Sequence, residues 1–134
     1  MATATATKFN ALQALLGATL KQELTVYIPR LGGNFTVRSL TSDELSEATV
    51  QATIPGPKGT KSLDDRQFQA AVIVKASVDP DFNDKALQDH YKASDALDCV
   101  GKALLPGEIA KVLQAVMDAS GFGDDEELLE EAKN

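Results

Sequence analysis

At 134 residues, with a net charge of −7, one cysteine, one histidine and no tryptophan, the chain suits one domain that buries roughly two-thirds of its unfolded surface. The lone Cys99 excludes an internal disulfide, and one Cys with one His cannot supply the four ligands of a structural zinc site. Six acids (Asp124, Asp125, Glu126, Glu127, Glu130, Glu131) against Lys133 leave −5 in the last eleven residues and about −2 elsewhere, which argues against a nucleic-acid surface built from clustered Lys and Arg.

Met1–Thr7 alternates Ala and Thr without bulk and is expected to fray. Phe9, Leu12, Leu15 and Leu16 then give a short helical stripe ending near Gly17. From Leu20 the apolar period changes from 3.6 to 2. Leu24, Val26 and Ile28 alternate with Glu23, Thr25 and Tyr27, and Phe35 and Val37 with Thr36 and Arg38. Gly32-Gly33 between the runs supplies the positive φ angles of a hairpin turn, so one β-hairpin is predicted over about residues 22–38. A two-stranded ribbon is marginal in water, so its apolar face must lie on helices.

Thr41-Ser42-Asp43-Glu44 is a capping box that starts a helix with a narrow inner face of Leu45, Ala48 and Ala52. Two prolines, two glycines and two lysines in Ile54–Lys61 predict a mobile loop. Leu63-Asp64-Asp65 opens another helix with Phe68, Ala71, Val72 and Val78 inward, and its run Ala70–Val74 is apolar enough for burial on more than one side. Asp79-Pro80 ends it, because the residue before proline leaves the helical region. Asn83 or Asp84 caps a short helix bearing Leu87 and Tyr91, and Ser94 caps the next, with Leu97, Val100 and Leu104 on one face.

The strongest helix comes last. Pro106 fits a first turn, Glu108 meets the positive end of the helix dipole, and Ile109, Val112, Leu113, Val116 and Met117 form one stripe. Gly121 closes it in a left-handed conformation, with Phe122 folding back. The rest of the chain is expected to pack around this stretch. The predicted fold class is α+β, mainly helical: one compact domain over residues 1–122 with a single hairpin, followed by a mobile acidic tail at 123–134.

Chemistry-bearing residues are few. Gly32-Gly33 lacks the following lysine-serine and helix of a phosphate cradle. His90 reads as a partly exposed structural residue. Cys99, next to Asp98 and without a close basic neighbour, reads as a passive thiol. Asp64-Asp65 and Asp79/Asp81 sit at helix ends, where capping accounts for them. Nucleophile, base and cofactor motif do not occur together, so no enzyme is predicted and no catalytic, cofactor-binding or metal-ligating residue is assigned. A hydrolase or transferase would need a deep pocket with convergent polar groups. No apolar run approaches the ~20 residues of a membrane span, and Met1–Thr7 lacks a basic segment leading into a long apolar core. A soluble, cytoplasmic protein is expected. Leu128 and Leu129, among Glu126, Glu127 and other helix formers, suit a helix formed on contact with a partner and are the candidate partner-binding residues.

From Leu31 to Phe122 these features occur in a recognisable order. The hairpin leads to the Thr-Ser-Asp-Glu helix, then Val78-Asp79-Pro80, the segment from Phe82 to Tyr91 with Asp84-Lys85-Ala86-Leu87-Gln88 inside it, Ser94–Val100, Leu105-Pro106-Gly107-Glu108-Ile109 and Ser120-Gly121-Phe122. The set resembles the XkdN-like family of phage tail assembly chaperones over about two-thirds of the chain; the Ala/Thr start and the Pro/Gly loop depart from it. The resemblance implies a non-enzymatic protein without cofactor, which binds the tape-measure protein, keeps it soluble and helps bring tail-tube subunits to it. It implies action in the host cytoplasm and absence from the mature virion, with no nucleic-acid or membrane partner; a homo-oligomer is compatible with it. It further implies a longer product made by −1 frameshifting, and Ala132-Lys133-Asn134 is compatible with a slippery A-AAA-AAC sequence. The competing reading is a small acidic adaptor or regulatory module that lays the 109–117 helix in a partner's groove.

Overall fold

A computed structural model describes residues 9–122. In chain order it contains α1 (Ala11–Gly17), β1 (Glu23–Ile28), β2 (Gly33–Arg38), α2 (Ser42–Ala52), β3 (Thr53–Pro55), β4 (Lys61–Leu63), α3 (Asp65–Ala76), β5 (Ser77–Asp79), α4 (Lys85–His90), α5 (Ala96–Ala103) and α6 (Pro106–Ala119). The α+β, mainly helical expectation holds.

The hairpin forms where the period of 2 places it. Antiparallel β1 and β2 pair from Glu23↔Arg38 to Ile28↔Gly33, and Gly32 takes φ +70° in the turn. Val26, Ile28, Phe35 and Val37 face inward and are buried. The sheet has a third strand that the sequence pattern does not show: β5 pairs antiparallel with β2, giving the order β1-β2-β5. Its residues were expected to continue the preceding helix with Val78 inward. Instead α3 ends at Ala76, and Val78 is 45% exposed. Three residues are too few to show a period; the open edge of β2 recruits them. The opposite edge of the sheet is β1, where Lys111 Nζ donates to the Tyr27 carbonyl (2.6 Å), a charged side chain of the kind that discourages edge-to-edge pairing.

The Pro/Gly stretch is also more ordered than expected. β3 and β4 pair from Thr53↔Leu63 to Pro55↔Lys61 around a turn at Pro57–Gly59, in which Lys58 takes φ 58°. The described residues therefore carry two hairpins, not one. Both prolines fall where no ladder donor is lost, one on an edge strand and one in the turn.

The hub is α3, not α6. It packs against α2, α5, α6 and β2, and Ala70, Ala71, Val72, Ile73 and Ala76 are all buried. The nearly continuous apolar run at 70–74 reflects this burial from several sides. In α6, Val112 and Val116 are fully buried while Ile109, Leu113 and Met117 pack against the core's margin. This stripe is used up within the chain, so it does not offer the free face that the groove-binding adaptor reading needs. Beyond β5, Phe82 plugs the core edge-on to Phe35, with ring centroids 6.5 Å apart.

Helix ends follow local chemistry. The Thr41 box is complete: Glu44 N–H donates to Thr41 Oγ1 (3.2 Å) and Thr41 N–H to Glu44 Oε1 (3.0 Å). Asp64 caps α3 and Asp84 caps α4. At α5 the cap is Asp95, accepting from Asp98 N–H (2.8 Å), rather than the expected Ser94; a carboxylate one residue on outcompetes the hydroxyl, which lies 3.4 Å from the Asp98 carboxylate. Gly121 closes α6 at φ +94°, and Phe122 N–H returns to the Met117 carbonyl (3.0 Å).

Two arginines of the first hairpin clamp glutamates at the third position of helices. Arg30 grips Glu108 through Nε (2.8 Å) and Nη2 (2.7 Å), and Arg38 grips Glu44 through Nη1 (3.0 Å) and Nη2 (2.6 Å). Each glutamate also accepts its helix's N-cap backbone N–H, from Leu105 for Glu108 and Thr41 for Glu44. The arginine bonds come first, with the backbone donors adding, in holding both carboxyls down to about 2. Because the folded value for Glu44 lies below the ordinary 4.5, its contribution is complete above that pH and is lost as pH falls toward 2. The expected loss from Glu44 is on the order of 2 kcal/mol after discounting for solvent screening. Unfolding midpoints in urea from pH 6 to about 2 check this: Glu44→Gln should lower stability at pH 6 and flatten the acid limb.

Candidate partner-binding surface

The tail residues predicted to bind a partner, Glu126, Glu127, Leu128 and Leu129, lie outside the described residues. The two reactive side chains of the sequence are placed plainly. Cys99 is fully buried on α5, and burial, followed by the charge of Asp98, pushes its thiol up; a thiol held protonated inside a core is inert. His90 ends α4 exposed, edge-on to Tyr91 at 4.8 Å between ring centroids. Among the described residues there is no cluster of three or more His, Cys, Asp or Glu side chains suited to a metal ion, and no helix is long and apolar enough to cross a membrane.

Hollows mark the surface of the described residues. One, about 680 Å³, lies between α3, α5 and the start of α6, lined by Arg66, Gln69, Asp98, Val100 and Ile109 among others. Its two carboxylates are already engaged: Asp95 accepts Asp98 N–H (2.8 Å), and Asp98 bonds Lys102 (2.8 Å) and Ser94 N–H (2.9 Å), which hold it ionised. A second, about 270 Å³, is mainly apolar, between Leu31, Phe35, Pro80, Phe82, Leu87 and Tyr91. A third, about 380 Å³, lies beside Val50, Thr53, Pro55 and Lys61 at the second hairpin.

The most prominent apolar feature is α1. Asn10 Oδ1 caps it by accepting from Gln13 N–H (3.1 Å), and none of its residues is buried. Phe9, Leu12, Leu15, Leu16 and Leu20 are 67–78% exposed. Their contiguity separates them from the scattered exposed leucines normal on any surface, and such a patch marks an interaction site. The root of this arm is fixed. Ser39, buried beyond the end of β2, donates from its backbone to the Gln22 carbonyl (2.7 Å), accepts Gln22 N–H at its hydroxyl (2.9 Å) and donates that hydroxyl to the Leu20 carbonyl. The core thus sets where the arm leaves the body. The sequence shows the stripe on this helix, but a stripe does not reveal whether its own fold covers it.

A small, mainly helical α+β domain that holds out an apolar arm has the layout of a protein-binding module. The model of the phage XkdN-like tail assembly chaperone (TAC) family matches residues 12–133, and the chain belongs to that family. It is 32% identical over 106 residues to the phage-like element PBSX protein XkdN of Bacillus subtilis (strain 168), covering 75% of this chain and 72% of that protein. It is also 32% identical over 103 residues to the uncharacterized protein YqbN of the same strain, covering 73% and 69%. The crystal structure of YqbN superposes with a TM-score of 0.64 at 24% identity, covering 86% of this chain and 99% of that one, a likeness of fold. The family's role is tail assembly, which is not catalytic.

Proposed function

We propose that the protein binds the tape-measure protein during phage tail assembly, keeps it soluble and helps deliver tail-tube subunits to it. The observation that supports this most is the exposed apolar stripe of α1. A long helical client with apolar stripes aggregates unless they are covered, and a short apolar helix on an acidic chain covers a stripe while adding repelling charge. The acidic stretch at 123–134, with Leu128 and Leu129 preceded by Glu126 and Glu127, is proposed as a second contact. In this reading the protein works in the host cytoplasm and leaves before the virion is complete, and the gene also yields a longer product by −1 frameshifting.

Co-purification tests the partner. A tagged chain expressed with the other tail proteins should retain the tape-measure protein through washing, together with tail-tube subunits when these are present. Retention of a compact regulatory protein instead, with the tape-measure protein in the flow-through, would refute the proposal.

A further inference from the structure

We infer that the free protein pairs with a second copy of itself through the apolar stripe of α1. A seven-residue helix is too short to hold itself in water. It is also apolar over most of its circumference, because Ala11 and Ala14 flank the leucines, and a helix of that composition belongs against other apolar surface. The body does not supply that surface, since every residue from Phe9 to Thr25 is exposed.

Area and charge both point to a second copy. At 67–78% exposure the five large side chains offer at most on the order of 700 Å² of surface, an upper bound that approaches the roughly 800 Å² each partner of a stable pair hides. The chain carries −7 overall, most of it in the last eleven residues, so two copies repel each other, yet no charged residue occurs between Phe9 and Leu20. A contact confined to the Phe9–Leu20 segment therefore joins the two stripes where repulsion has no local source. The stripe is also self-complementary: in an antiparallel two-fold pair, Leu12 of one copy faces the Leu16 region of the other, as an isologous interface requires. The pairing belongs to the unloaded protein and stands apart from which client the arm meets later.

Sedimentation velocity on the purified full chain tests this, over roughly 1–200 µM, where an interface of this size shows its dissociation constant. The wild type should pass from monomer to dimer across that range, and high salt should leave the dimer intact or tighten it. Leu12→Glu/Leu16→Glu should remain monomeric throughout and still unfold cooperatively near the wild-type midpoint, losing at most the small helical signal of α1, because neither side chain belongs to the core. A wild type that stays monomeric, or a dimer that survives the double substitution, would overturn the inference.

Discussion

Val116→Asp is expected to leave the protein unfolded at 25 °C. Val116 is fully buried on the inner face of α6, the helix that packs against β1, β2 and α3. A carboxylate there gives up its hydration among apolar neighbours, and an uncompensated buried charge costs several kcal/mol even after local relaxation. Burial of the valine itself, about 1.5–3 kcal/mol, is lost as well. Against a total stability of roughly 5–15 kcal/mol for a domain, little or nothing remains. Thermal unfolding followed by circular dichroism checks it: a cooperative transition near the wild-type midpoint would contradict the core assigned here. Ile73→Ala on α3, which empties a fully buried site, should fold but lose about 2–5 kcal/mol.

The second large effect falls on binding and spares the fold. Leu12→Glu/Leu16→Glu replaces two side chains at 67% and 77% exposure on a helix with no buried residue, so cooperative unfolding should persist with a midpoint near that of the wild type. Client affinity should fall on the order of 100-fold. Two leucines that lose their burial in the complex forfeit roughly 1.5–3 kcal/mol each, and every 1.4 kcal/mol is tenfold in Kd. Fluorescence anisotropy with a labelled tape-measure segment reads this directly. An affinity within threefold of the wild type would place the contact elsewhere.

What could be read from the sequence was local. The Thr41…Glu44 box, the alternation around Gly32-Gly33 and the Pro106…Gly121 frame each fix their element within a few residues, so they carry their own signal. Structure set by distant neighbours stayed hidden. β5 exists because β2 has an open edge, and the second hairpin because short strands on either side of Pro57–Gly59 pair with each other. The Arg30–Glu108 clamp joins residues 78 positions apart, with no trace in spacing. The hub is hidden for a related reason: α6 has a clear apolar face, whereas α3 is buried on several sides and shows weaker amphipathic contrast. The candidate surface was half legible. Phe9, Leu12, Leu15 and Leu16 were read as a helical stripe, but only the fold shows that its body leaves them uncovered. The tail residues favoured from composition fall outside the described residues.

The family match and the exposed arm meet in one claim, that α1 holds the tape-measure protein in solution. The measurement that tests it most directly is the soluble yield of tape-measure protein co-expressed with the wild-type chain, with Leu12→Glu/Leu16→Glu, and with no partner. The account predicts a large soluble fraction with the wild type and a yield near the partner-free level with the double variant. Equal solubility with wild type and variant would remove α1 from the contact, and no gain with the wild type would contradict the tape-measure reading itself.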